Sequence, residues 1–216
     1  MALKEIAPRL WWWTAPHPDW KPSHNRGGQG WGQFVSSYAL VADDAFVLID
    51  PLVPSDEPGR FWEALDRDVH THGPPSIVIT IKWHTRSAGE IAQRYDGSTV
   101  WAPAHAKRAV GNRVNYTHTY TADDGELPAG IRAHETGRLR EMVLYLPSHN
   151  ALLFGDVVLD GVRLLPDSWL PKQMTRADVQ ESLRPLLDEK IELLLLTHGG
   201  PVADDARVKL ERALAS

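Results

Sequence analysis

Thr80-Ile81-Lys82-Trp83-His84-Thr85-Arg86-Ser87-Ala88-Gly89 is the stretch on which the reading of this 216-residue chain turns. It overlaps Ser76–Ile81, a continuous apolar and β-branched run of the kind that fills the centre of a sheet covered on both faces. It leads into Ser87–Tyr95, where Ala88, Ile91 and Ala92 fall on one helical face and Ser87 stands at the N-cap position. The loop between strand and helix carries one imidazole, His84, flanked by the cations Lys82 and Arg86.

Working outward, Val35–Leu40 and Ala45–Asp50 read as two strands joined by a turn at Ala42-Asp43-Asp44. Phe61, Leu65 and Val69 recur at helical spacing, and Thr99–Ala102 reads as a strand. Ala104–Val110 reads as a short helix, and Tyr116–Leu127 as a polar, turn-rich connection. Ile131–His134, Glu141–Leu146 and Ala151–Phe154 read as further strands. Arg176–Asp188 reads as an amphipathic helix, Ile191–Leu196 as the last buried strand and Asp204–Ala215 as a closing helix. This alternation predicts a layered α/β architecture, and the length suits one domain over residues 1–216.

Composition narrows the function classes. The net charge of −5 argues against a nucleic-acid partner, which calls for a basic excess. The absence of cysteine excludes disulfides, thiolate metal sites and a Cys nucleophile. No apolar run reaches the roughly 20 residues that span a bilayer, and the N-terminus lacks the apolar core of a signal peptide, so a cytoplasmic protein without membrane attachment is expected. Of nine tryptophans, Trp11, Trp12, Trp13, Trp20 and Trp31 crowd the N-terminal region. Residues 11–34 are read as a Trp-rich loop, either pinned to the body, laid over a pocket as an aromatic lid, or used in a homodimer contact.

Four stretches, in order, resemble the metallo-β-lactamase superfamily across roughly residues 35 to 205. Ser37-Tyr38 through Leu48-Ile49-Asp50-Pro51 is similar to its opening hairpin. The loop at 80–89 stands where the family carries Thr-His-x-His-x-Asp-His-x-Gly. Glu135-Thr136-Gly137-Arg138, then Met142–Pro147 and Leu153-Phe154-Gly155-Asp156, resemble Pro-Gly-His, strand and Gly-Asp. Thr197-His198-Gly199-Gly200-Pro201 is close to the terminal His-Gly. The resemblance implies a four-layer αββα sandwich of that type.

It also implies a changed site. In the family two ions sit between these loops; at the ligand positions this chain places Lys82, His84 and Arg138 for one ion, and Arg86, Ser87 and His198 for the other, with Asp156 at the bridging position. Protonated Lys and Arg are donors only and repel a divalent ion. Lys82, Arg86 and Arg138 are therefore read as an anion-binding set that replaces the ions' charge, or as a salt-bridged plug, with Asp156 paired to one or two of them. His84 or His198 is the candidate general base, oriented by Asp156, and Lys82 a candidate base or Schiff-base former. Ser87 is read as an N-cap before a nucleophile, and His134 as a strand residue before a ligand. His17 and His24 are candidates to face the pocket.

The leading expectation is a metal-independent, hydrolase-like enzyme with no cofactor, acting on a small anionic or aromatic molecule. The alternatives are a non-catalytic binding or scaffold protein, and a single-metal hydrolase using His84, Asp156 and His198. The last is weakened because the family's equivalents of His84 and His198 serve different ions.

Overall fold

The computed structural model describes residues 3–28, 30–123, 127–136 and 140–216. Among them a first sheet runs in chain order: β1 (Lys4–Ala7), β2 (Leu10–Pro16), β3 (Phe34–Val41), β4 (Phe46–Ile49), β5 (Ser76–Val78), β6 (Thr99–Pro103) and β7 (His118–Tyr120). The strands β1 to β4 form an antiparallel meander, and β4 to β7 are parallel. The parallel connections carry α1 (Pro58–His72), α2 (Ala88–Arg94) and α3 (Lys107–Gly111). The second sheet contains β8 (Arg132–Glu135), β9 (Met142–Leu146) and β10 (Ala151–Phe154). A small hairpin, β11 (Val158–Leu159) and β12 (Arg163–Leu164), follows β10. After α4 (Arg176–Leu183), the strands β13 (Leu193–Leu196) and β14 (Pro201–Val202) complete the second sheet in the order β14-β13-β10-β9-β8, and α5 (Ala206–Ala215) closes the chain.

The strand sequences dictate the layers. In β4, β10 and β13 all four consecutive residues are buried, because both faces of each sheet are covered. Successive side chains alternate: Val47, Ile49, Leu153 and Leu195 meet between the sheets, whereas Leu48 and Ile77 face Phe61, Leu65 and Ile91 of the first helices. Leu152, Phe154, Leu194 and Leu196 face Val179, Leu183, Leu210 and Leu214 of α4 and α5. Helix, sheet, sheet and helix are stacked in the order expected.

The strands β4 and β5 are parallel, as are β10 and β13, so the residues following each pair emerge at carboxyl ends, where open α/β sheets hold their sites. The sheets are stitched at this rim. Met142 N donates to Thr80 O at 3.0 Å and Ser36 N to Thr197 O at 2.8 Å. The buried Tyr38 hydroxyl donates to Leu196 O at 2.9 Å.

Several expectations are corrected. The Trp-rich loop of 11–34 is shortened, because Leu10–Pro16 is a strand paired with β3 along its whole length. Trp13 is buried with its indole N–H on Leu52 O at 2.9 Å, and the Trp12 indole donates to Ser36 Oγ at 2.8 Å. Flat, amphipathic rings suit a half-covered strand as well as a loop. The strand read over Ser76–Ile81 ends at Val78, since Thr80 turns away to bond Asp50. The helix read over Arg176–Asp188 changes to a tighter turn at Arg184, next to Pro185, which lacks the N–H that α-helical pairing requires. The polar segment after Tyr116 contains the short edge strand β7.

Candidate functional site

His84 is fixed by a carboxylate beneath it. Asp50, at the end of β4 with a left-handed φ of 47°, is fully buried. Its Oδ1 accepts from Thr80 N at 2.9 Å, and its Oδ2 accepts from Thr80 Oγ1 at 2.5 Å and lies 2.8 Å from His84 Nδ1. On the far side of the ring, His84 Nε2 stands 3.2 Å from Asp156 Oδ1. The same oxygen lies 2.9 Å from His198 Nε2. One atom from each of His84, Asp156 and His198 thus falls within 4.8 Å of the others. The two histidines converge, although the resemblance assigns them to different ions.

A second buried carboxylate holds the other side. Glu141, just before β9, accepts backbone N–H from Gly155 at 2.8 Å, Asp156 at 2.7 Å and Val157 at 2.8 Å. It thereby sets the path of the loop that presents Asp156. Gly155 is required by this packing, since a Cβ there would stand 2.9 Å from Thr80 Oγ1 and 3.1 Å from Glu141 Cδ. His198 follows β13, with its carbonyl accepting from Asp160 N at 2.7 Å.

The electrostatics follow from these contacts. Burial and the Arg86 charge push the His84 imidazole down, but Asp50 and Asp156 more than offset them and raise it to about 9. Carboxylates accept only, so bonds at both ring nitrogens are those of an imidazolium. Burial lowers His198, against the pull of Asp156. Burial pushes the Asp156 carboxyl up, and the two histidines hold it well below the usual range. Burial and the nearby Asp156 raise Glu141 despite its three backbone donors.

Two of the three cations, Arg86 and Lys82, lie among the described residues. Arg86, with a left-handed φ of 35°, turns inward, and its Nη1 donates to Ser36 O and Asp50 O at 2.8 Å each. Its buried Nε and Nη2 have no hydrogen-bond partner among the described residues. It sits behind the histidines as an internal charge. Lys82 lies with Nζ 4.5 Å from the Trp83 ring centroid and is not among the residues lining the cavity above the triad. Arg138 lies outside the described residues. Among the described residues, Asp156 pairs with His84 and His198. Ser87 occupies the N-cap position, but its hydroxyl accepts from Val53 N at 2.9 Å and makes no capping bond. His134 stands 3.6 Å from Glu189 on β8, as a strand residue.

A cavity of about 340 Å³ opens over the triad, walled by Trp31, Trp83, Trp169 and His17, with Arg113 and Asp19 also lining it. Trp31 meets His198 edge-on with centroids 5.0 Å apart, and His17 and His24 pack on Trp31 at 5.1 and 5.4 Å. Burial is the largest cause lowering His17 to about 4. Sequence reasoning gave no role to Asp50, Glu141 or Arg113. Asp50 was visible as the acidic end of the family-like Leu48-Ile49-Asp50-Pro51 run, and Glu141 as the first residue of another strand.

The donor atoms of the triad have a spacing that can be set against that of a metal site. Ligands sharing a tetrahedral ion at about 2.1 Å stand roughly 3.4 Å apart. The separations of 3.2 and 2.9 Å between the imidazole nitrogens and Asp156 Oδ1 are near that spacing. A carboxylate on the opposite nitrogen, as Asp50 provides for His84, is the usual support of a ligating histidine. His198 lacks that support, its Nδ1 being buried without a partner among the described residues. The donor set of two imidazoles and one carboxylate fits a single ion.

No family model and no curated protein matches the chain. Solved structures do. The metallo-β-lactamase FIM-1 from Pseudomonas aeruginosa, in its mono-zinc form, is 13% identical with a TM-score of 0.68, covering 99% of this chain and 94% of its own. A metallo-β-lactamase from Pontibacter korlensis is 17% identical with a TM-score of 0.69, covering 100% and 99%. The Flv1 flavodiiron core from Synechocystis is 14% identical with a TM-score of 0.73, covering 99% of this chain and 60% of that one.

Proposed function

We propose that this chain, which has the metallo-β-lactamase fold, is a hydrolase-like enzyme built around a single divalent metal ion held by His84 Nε2, Asp156 and His198 Nε2. The convergence of those three donors within 4.8 Å carries the reading. A mono-zinc relative of the fold, FIM-1, is consistent with it. When bound, such an ion supplies Lewis-acid polarisation of a carbonyl or phosphoryl oxygen. Asp50 orients His84 and Glu141 positions the loop of Asp156; ion binding would displace the proton that His84 holds against Asp156 and would work against the buried charge of Arg86. The aromatic walls suit a small aromatic or anionic substrate, with Arg113 the cation lining the cavity.

Elemental analysis of protein purified without chelator tests the reading. About one ion per chain is expected, falling to background in His84→Ala and His198→Ala, together with chelator-sensitive hydrolysis in a screen of esters, thioesters and phosphoesters. Metal-free protein whose turnover resists chelator would sink it.

One observation favours metal-independent chemistry instead. With His84 held at about 9 and Arg86 buried alongside, Asp50 and Asp156 already face two positive charges of the protein's own. Against this, His198 turns its Nε2 to Asp156 and its other nitrogen is buried, and His84 becomes a base or a ligand only by losing the proton it holds between Asp50 and Asp156.

A further inference from the structure

The cavity over the triad has a neighbour. A second cavity, of about 360 Å³, is lined by Ile81, Val157, Leu165 and Pro171 and shares Trp83, Asp156 and Trp169 with the first. Both are therefore bounded by Asp156 and by the same two exposed indoles. Their chemistry differs. The first offers hydrogen-bonding and charged groups in His17, Asp19 and Arg113. The second is walled mainly by aliphatic side chains, and its one further carboxylate, Glu141, already accepts three backbone N–H groups. Each volume lies near the lower end of the range for ligand pockets, enough for one portion of a molecule.

We propose that the two cavities form one bipartite site for an acyl compound, with an apolar acyl group on Ile81, Val157, Leu165 and Pro171, a polar leaving part beside His17, Asp19 and Arg113, and the bond to be broken above Asp156. This rests on the hydrolase reading for its chemistry, though not for its binding. Hydrolysis joins the oxygen of water to the acyl carbon and breaks that carbon's bond to the leaving atom. One water proton passes to the leaving atom, and the acid formed releases the other. The lobes sort the two halves by polarity: an apolar chain in the polar lobe leaves charged groups desolvated, and a polar group in the apolar lobe loses its hydrogen bonds to water.

The test uses N-acylethanolamines, unreactive amides with acetyl, butanoyl, hexanoyl and octanoyl chains, titrated against the full chain by tryptophan fluorescence, which Trp83 and Trp169 make sensitive to occupancy. Affinity is expected to tighten about fourfold per added methylene, equivalent to about 0.8 kcal/mol, until the lobe is filled. Leu165→Phe should remove the gain for the longer chains, so that affinity no longer rises from the acetyl to the octanoyl compound. Leu165 also belongs to the core, so Pro171→Trp, at a half-buried position, is a second way to fill the lobe. A series flat with chain length, or a gain untouched by both substitutions, overturns the proposal. Metal content is measured in the same samples: stoichiometric metal with a flat series refutes this proposal alone, and a rising series in metal-free protein refutes the metal reading alone.

Discussion

The two sides of the site are each held by a buried carboxylate, but in different ways. Asp50, on the first sheet, grips a side chain, taking one nitrogen of His84 and both donors of Thr80. Glu141, on the second, grips backbone, taking three consecutive N–H groups of the Asp156 loop. The first arrangement fixes ring orientation and charge; the second fixes where a loop runs. Loss of Glu141 should therefore act mainly on folding, and loss of Asp50 mainly on what His84 does.

The largest effect is expected from Glu141→Ala. It leaves three buried donors without acceptors, at about 1–3 kcal/mol each, with partial relaxation bringing the total to roughly 3–5 kcal/mol. For a chain of this size that corresponds to a fall in Tm of about 10 °C, read by calorimetry. A fall under about 3 °C would erase the contrast. Glu141→Gln keeps one acceptor oxygen and should recover part of the loss.

Asp50→Asn comes next. It preserves size and much of the Thr80 bonding but weakens the support of His84, so the proposed metal affinity should fall about 10–100-fold with a smaller change in Tm than Glu141→Ala gives. Competition titration with a chelating dye measures it. A larger loss of stability than of affinity would reverse the roles assigned to the two carboxylates.

The smaller effects concern pH in chelator-treated protein. The folded state raises His84 from 6.5 to about 9, so it binds more protons than the unfolded state between those values. The stability from this group is whole below about 6.5 and is lost as pH rises through 9. His17 is lowered to about 4, so the unfolded chain binds more protons between 4 and 6.5, and stability falls as pH drops through that window. Urea midpoints across pH should decline on both flanks. His84→Gln should flatten the alkaline limb, and His17→Asn, at a half-buried position, should slightly flatten the acid one. An alkaline limb unchanged in His84→Gln would detach His84 from the two aspartates.

Much of the fold was legible in the chain. Four-residue apolar runs such as Phe46–Ile49 and Leu193–Leu196 announce strands covered on both faces, and the helices between them announce layers. Trp11–Trp13 misled because large amphipathic rings suit a loop or a strand equally until a partner strand is present. Within the site, His84, Asp156 and His198 were singled out because their motifs resemble the ligand positions of the metallo-β-lactamase superfamily. Their mutual distances were not, since they depend on how two sheets face one another.

The cations show the limit most clearly. Lys82 and Arg86 stand four residues apart in one loop, yet one caps an exposed indole and the other is buried against Ser36 and Asp50. The difference lies in backbone conformation: Arg86 holds a left-handed φ of 35° that turns its side chain inward, a conformation its residue type does not foretell. The amino-acid sequence by itself determined the layers and the residues at their rim, because periodicity and burial are local properties of a run. Only the tertiary structure decided which of those residues meet and which carboxylates hold them, because contacts between distant segments and the dihedrals of an irregular loop are set by packing rather than by neighbours in the chain.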